Sequence, residues 1–273
     1  MSRLLGERIK IAISPLRVAL VRLAVGWGKP VVLERRNLPC VAAEHGPNWN
    51  GALATLGGLL EPPKRLSAPV TVILSNHFVR YIVLPWSAEL VTQAEETNFA
   101  SARFVQVFGE NARQWSIRTC DAPAGMERVS AATDAALLDA LTRTIDESKL
   151  KLASCEPAFM AQFNASRHHI GDNAWLVSAE HGRILLACID QGRWRSVRTR
   201  PLNGPVIELR DLLEQERVLI SASEGEHQVF VSAADDVVVD TQGLVTRPLG
   251  PRDAGRPENP NDGFYALAMA GWQ

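Results

Sequence analysis

Two stretches decide the fold: RIKIAISPLRVALVRL, residues 8–23, and AWLVSAEHGRILLACID, residues 174–190. In the first, Ile9, Ile11 and Ile13 alternate with Arg8, Lys10 and Ala12, the period-two pattern that sends successive side chains to opposite faces of a sheet. Ser14, Pro15, Leu16 and Arg17 form a turn, and a second apolar strand follows. The later stretch repeats the plan, with its turn at Glu180, His181, Gly182 and Arg183. Each hairpin leads into a third strand, a Pro- or Gly-bearing turn and a helix. A duplicated module is the simplest account.

Outward from the first hairpin, strands at 9–13, 16–25 and 30–36 form an antiparallel meander turned through Gly26, Trp27 and Gly28. A helix over 50–60, stopped by Pro62 and Pro63, precedes a strand at 70–74, which completes a βββαβ unit. The next stretch departs from this plan. A strand over 77–84 ends at Pro85, and Ser87 reads as the N-cap of a helix carrying Leu90, Ala94, Phe99, Ala102, Phe104 and Phe108. Strands at 115–120 and 128–133 follow, then a helix over 134–148 with Leu137, Leu138, Leu141 and Ile145 on one face. Residues 76–150 thus form a small α/β insertion in a first lobe spanning 1–168, closed by a strand at 151–154 and a helix from Pro157. The second lobe, 169–273, holds strands at 175–179, 184–190 and 194–199, a helix over 205–215 and a strand at 228–232. Residues 249–263, rich in Pro, Gly, Asn and Asp, read as a mobile loop, and 264–270 as a short apolar helix.

Composition excludes several classes. The 273 residues are 46% hydrophobic, enough for two lobes with a core. Lys plus Arg at 29 against Asp plus Glu at 30 gives a net charge of −1, so no overall field attracts nucleic acid or an anionic membrane. The densest basic run, GRWRSVRTR at 192–200, reads as a solvated strand face. Cys40, Cys120, Cys155 and Cys188 form no CxxC pair and read as small buried hydrophobes. The apolar stretch 18–25 is interrupted by Arg22 and is shorter than the ~20 residues of a spanning helix, so a cytoplasmic location is expected, without leader or span. His168 and His169, with His181 or Asp172, read as loop residues, so no metal site is expected. No Gly-rich phosphate loop is present, and Gly57-Gly58 marks a helix end. Phe78, Tyr81 and Trp86 fit core packing, with a groove for a partner peptide as the second reading.

The repeated βββαβ unit with an α/β insertion in its first copy resembles the actin-like superfamily. The segments VILSNHFVRYIVLPWSAELV, WSIR, TDAALLDALTRTI and LKLASCEPAFMAQFN are most similar to the PilM family of type IV pilus assembly and the cytoplasmic part of the GspL family of type II secretion. The resemblance implies an α/β actin-like ATPase fold, two ribonuclease-H-like lobes with nucleotide held between them in active members.

Active members carry an Asp two residues before the first hairpin turn, to organise the metal's waters, and a Gly opening that turn, to let backbone N–H groups approach phosphate. Here the resemblance puts Ala12 and Ser14 at those positions, followed by Pro15, which has no N–H. In the second hairpin the positions are Ser178 and Glu180, and a carboxylate there repels phosphate. Shifting the register by two makes Glu180-His181-Gly182 a weak Asp-x-Gly mimic. The adenosine turn carries Ala233 and Ala234 in place of glycines, followed by Asp235 and Asp236. Neither catalysis nor a cofactor is therefore expected. The resemblance implies a scaffold at the inner face of the inner membrane that captures a short cytoplasmic peptide of a membrane-anchored component, and self-association is left open. The rival readings are an actin-like nucleotide enzyme with an atypical pocket and an unrelated α/β binding module.

Overall fold

The computed structural model describes residues 6–26, 31–41, 48–60, 68–202, 204, 206–223, 225–234, 237–250 and 267–269. The first repeat opens with β1 (Gly6–Ile13), β2 (Arg17–Val25) and β3 (Val31–Pro39), then α1 (Asn50–Leu60) and β4 (Pro69–Leu74). The inserted elements are β5 (Val79–Leu84), α2 (Gln93–Phe108), β6 (Trp115–Thr119) and β7 (Arg128–Asp134). After α3 (Ala135–Glu147), β8 (Lys151–Pro157) and α4 (Ala158–Ser166) come β9 (Ala174–Glu180), β10 (Arg183–Asp190) and β11 (Arg193–Pro201). The second repeat ends with β12 (Val206–Glu208), α5 (Leu209–Ile220), β13 (Gln228–Ala233), β14 (Val238–Asp240) and β15 (Thr246–Pro248).

The two repeats build matching sheets, ordered β3-β2-β1-β4-β8 and β11-β10-β9-β13-β15. In each, the hairpin's first strand pairs antiparallel with the second and parallel with the strand after the helix: β1 with β2 and β4, β9 with β10 and β13. Parallel neighbours need a crossover, which α1 and α5 supply. The central strands are buried on both faces. Ile9, Ile11 and Ile13 are fully buried while Ala12, on the opposite face, packs with Ala19, Val21, Leu23 and Ala268. A continuous apolar run such as AWLV in β9 marks this two-sided burial.

The molecule divides into two compact units. One contains the described residues within 6–78 and 136–162 together with 267–269; the other contains 79–135 and 163–250. The inserted three-stranded sheet, ordered β5-β7-β6, interrupts the first repeat in the chain but groups with the second. Its α2 packs Phe104 and Ala100 onto Ile82, Leu84 and Ala132. Arg193 of β11 anchors it by reaching both carboxylate oxygens of Glu127 at 2.9 and 3.1 Å and the Gly125 carbonyl.

Several local expectations are corrected. The inserted helix starts at Gln93, because Thr92-x-x-Glu95 is a capping box: Thr92 Oγ1 accepts the Glu95 N–H at 3.2 Å and Glu95 accepts the Thr92 N–H at 2.9 Å. Ser87 instead accepts the Glu89 N–H in a preceding turn, so Leu90 lies outside the helix. The helix expected over 205–215 begins at Leu209, since Val206–Glu208 extends into β12 and pairs in parallel with β14. Leu249 is no part of a mobile loop: it is 4% exposed, and its N–H donates to Val231. Gly250 likewise donates to Ser166 Oγ at 2.7 Å. Residues 251–263 lie outside the described residues, as does the expected 264–270 helix apart from helical 267–269. Cys120 is exposed and Cys40 and Cys155 are half-buried; Cys188 alone fits the buried reading. Burial pushes the Cys155 and Cys188 thiols up to about 12.

The basic run on β11 is no simple solvated face. Arg200 reaches both oxygens of Glu216 at 3.0 Å, Arg198 lies 3.6 Å from the same carboxylate, and Arg195 lies 3.4 Å from Asp190. Glu216 is completely buried on α5, so its carboxylate depends on these guanidinium groups. Arg200→Ala is expected to lower stability by on the order of 3 kcal/mol, because it leaves a buried charge poorly paired. Chemical denaturation of that variant, with Glu216→Leu in the same background restoring most of the loss, checks this. Thr92→Ala removes a cap and is expected to cost about 1 kcal/mol in the same assay, as an earlier denaturation midpoint.

Candidate functional site

The first hairpin turn is closed by its own side chain. The Ser14 N–H donates to the Arg17 carbonyl at 2.9 Å, and the Ser14 hydroxyl accepts the Arg17 N–H at 3.1 Å while donating to the same carbonyl at 3.0 Å. A hydroxyl thus takes the place of the backbone carbonyl that would ordinarily close a two-residue hairpin. With Pro15 lacking an N–H, Leu16 is left as the turn's sole remaining backbone donor to any outside acceptor. The loop is fastened further by the Cys40 N–H to the Leu16 carbonyl at 2.7 Å, and by the Cys40 thiol, which approaches the Ser14 carbonyl at 3.6 Å. Burial raises the Cys40 thiol pKa. Two residues earlier, Ala12 is 3% exposed and surrounded by apolar side chains.

The second hairpin turns through His181 and Gly182 alone, with Glu180 and Arg183 paired across it. Gly182 has φ +70°, a conformation that favours glycine and that accounts for this residue at this place. The Gly182 carbonyl accepts the Leu202 N–H at 3.0 Å. Arg183 is half-buried, and its Nε has no hydrogen-bond partner among the described residues. Burial lowers the pKa of its guanidinium, and Glu180 opposes that shift. Ser178 is buried on β9, opposite Ser232 of β13.

At the end of β13, Ala233 is exposed, and the Ala234 N–H continues the ladder by donating to Ala179 at 2.8 Å. The Val237 N–H closes the following turn on the Ala234 carbonyl at 3.0 Å. Asp235 and Asp236 lie outside the described residues. His168 and His169 are exposed in a 3-10 turn, and no described group of three or more metal-ligating side chains converges. Phe78 and Tyr81 are buried at 7% and 4% exposure, whereas Trp86 is 45% exposed, so of the three only Trp86 presents a broad surface to solvent.

Sequence reasoning missed two polar clusters. On one face of the first sheet, Lys10 of β1 is buried, and the half-buried Thr71 of β4 and Ser154 and Glu156 of β8 follow across the sheet; burial lowers the Lys10 pKa and Glu156 opposes this. Ser154 donates to Thr71 and to Glu156, each at 3.1 Å. A lysine among isoleucines in β1 was the available signal. In the second unit, buried Asp190 accepts from Ser223 at 2.6 Å with His227 at 3.5 Å, and the Ser223 hydrogen bond is the chief cause of its lowered pKa. This order, with the carboxylate in the middle, ties Ser223 and His227 to β10 and differs from a triad, in which the imidazole stands between serine and carboxylate.

No family model matches the chain, and no curated protein matches it. Solved structures do. The PilM–PilN type IV pilus biogenesis complex matches with a TM-score of 0.61 at 13% identity, over 99% of this chain and 97% of that one. The cytoplasmic domain of EpsL, an inner membrane component of the type II secretion system of Vibrio cholerae, matches with a TM-score of 0.56 at 9% identity, over 97% and 95%. A Bacteroides thetaiotaomicron protein with an actin-like ATPase fold gives 0.54 at 10%, over 83% and 82%. The duplicated sheets, the insertion and these matches together identify the chain as an actin-like fold, similar in structure to proteins of pilus assembly and type II secretion.

Proposed function

We propose that this chain is a non-catalytic scaffold of a type IV pilus or type II secretion-like machine, working from the cytoplasm beside the inner membrane. In this reading, lobes at 1–168 and 169–273 keep the actin-like shape without its chemistry, and a membrane-anchored component is recruited through a short cytoplasmic segment. No described helix is long and apolar enough to cross a membrane. The likeness to the PilM–PilN complex and to EpsL supports the setting.

The observation that carries the non-catalytic reading is the self-closed Ser14 turn. Phosphate capture by a hairpin needs several backbone N–H groups pointing outward from an open turn. Here two are consumed within the turn, and Pro15 supplies none. Magnesium capture needs a hydrated carboxylate, and the position it would take holds Ala12 in an apolar cluster. Glu180 beside the second turn adds the wrong charge for a phosphate.

The test is calorimetry and thermal shift with ATP and ADP at millimolar concentration, with and without magnesium. No heat and no shift are expected. Binding at 100 times the dissociation constant would add about 2.7 kcal/mol of stability, and a magnesium-dependent rise of that size would favour the nucleotide-enzyme reading instead. Ala12→Asp, which restores the missing carboxylate, is expected to lower stability by on the order of 3 kcal/mol and to confer no nucleotide binding, since it buries a charge among apolar side chains.

A further inference from the structure

The inserted sheet ends in β6, on the side away from β5. One bond fixes which way the backbone of this strand points: the Cys120 N–H donates to the Val129 carbonyl at 2.9 Å. Backbone direction alternates along a strand, so Cys120, Arg118 and Ser116 turn their N–H and C=O groups to β7, where Ala131 and Thr133 lie opposite the latter two. Thr119 agrees with this parity, because its Oγ1 lies 2.9 Å from Ser130 Oγ, the close approach of a pair that exchanges no backbone bonds. Ile117 and Thr119 therefore turn their backbone groups outward, and among the described residues nothing pairs with them. The Trp115 N–H is already spent on the Ala112 carbonyl.

The two faces of this edge differ. Toward α2, Trp115 and Ile117 are half-buried at the margin of the cluster around Phe104, with the Trp115 and Phe108 rings 5.5 Å apart. On the other face Arg118 is exposed, and its guanidinium has no hydrogen bond or ion pair among the described residues. The remaining arginines of the insertion are engaged: Arg80 with the Val79 carbonyl, Arg103 with Gln106, Arg113 with Glu110 and Arg128 with Glu96. An open row of backbone groups between an apolar margin and a single cation is the geometry of strand addition, in which the ladder supplies affinity and the side chains supply selectivity.

We propose that the outer edge of β6 is a docking site for an extended peptide that adds to the inserted sheet, with an acidic side chain opposite Arg118 and apolar side chains toward α2. The charge selects the occupant. A cation midway along a short open edge deters neutral and basic strands and favours one that sets a carboxylate directly opposite. A second copy of the chain offers none. Two-fold antiparallel pairing must join outward backbone groups to outward backbone groups, which sets Arg118 opposite Ser116, Arg118, Cys120 or Ala122 of the other copy. None of these is acidic, and the Arg118 register sets like charges together. The site suits the recruitment proposed above without resting on it: the nucleotide titration decides that reading, and peptide binding decides this one.

The experiment selects a displayed library of random dodecapeptides on the wild-type chain, then synthesises the enriched sequence for anisotropy titration and residue-resolved amide exchange. Two variants serve as controls. Thr119→Pro removes an outward N–H and no backbone bond to β7, a place where an edge strand accepts proline, and Arg118→Glu reverses the charge. The expected peptide alternates apolar and acidic residues and binds each variant at least tenfold more weakly than wild type. It slows exchange at Ile117 and Thr119, whereas the Arg118 and Cys120 amides are protected with or without it. A peptide with lysine in place of the acidic residues is expected to prefer Arg118→Glu to wild type. Thermal midpoints close to that of the wild type show that the variants fold; should Thr119→Pro fail to fold, Arg118→Glu and the lysine peptide decide. The proposal is overturned by a library that yields no binder, by binders without acidic residues, by equal affinity for the folded variants, or by exchange protection elsewhere. It is overturned equally by a wild-type dimer that Thr119→Pro converts to monomer, since a second copy would then occupy the edge.

Discussion

Everything in this architecture rests on one backbone pairing made twice: the first strand of a tight hairpin is also the parallel partner of the strand that follows the helix. A strand in that position has both edges occupied and both faces covered, so each of its polar backbone groups is satisfied by a neighbour and each of its side chains must be apolar, small or paired. That constraint explains Ile9, Ile11 and Ile13 on one side of β1 and Ala12 on the other. It also explains why the one buried lysine there, Lys10, brings a retinue of Thr71, Ser154 and Glu156 on adjacent strands. The same demand in the second sheet admits Asp190 and Ser178 only with partners.

What the sequence disclosed follows the range of the interactions involved. Both hairpins and α1 are local patterns, and α1 occupies the 50–60 span read from periodicity and the proline stop. The helix start at Thr92 was also locally encoded, but Ser87 offers a competing hydroxyl five residues earlier, and only the reciprocal bonds with Glu95 separate the two. The three-residue strands β12, β14 and β15 carry no periodicity of their own and exist because a distant strand lies beside them. The partners of the β11 arginines were illegible for the same reason: Glu216 lies on a helix and Glu127 on the insertion, and nothing in GRWRSVRTR names either.

At the hairpin turns, the sequence names the residues, Ala12, Ser14 and Pro15 among them, while their arrangement is visible only in the structure. That the Ser14 hydroxyl replaces a backbone acceptor, folding the turn onto itself, required geometry. In the second hairpin the glycine that looked like a displaced phosphate residue has a conformational reason for its presence, at φ +70°. Conformation and chemistry both select glycine, and a sequence cannot say which did so.

The turn between β10 and β11 has a consequence of another kind. Gln191 and Gly192, at φ 55° and 72°, form a two-residue connection whose handedness matches the twist of the strands it joins. Such a hairpin forms within microseconds, whereas the parallel pairings of β1 with β4 and of β4 with β8 must wait until long stretches of chain have been gathered in. The order of assembly is thereby built into the topology. Both repeats have such local hairpins to start from, while the first must also close the chain around an inserted sheet before β8 can reach β4.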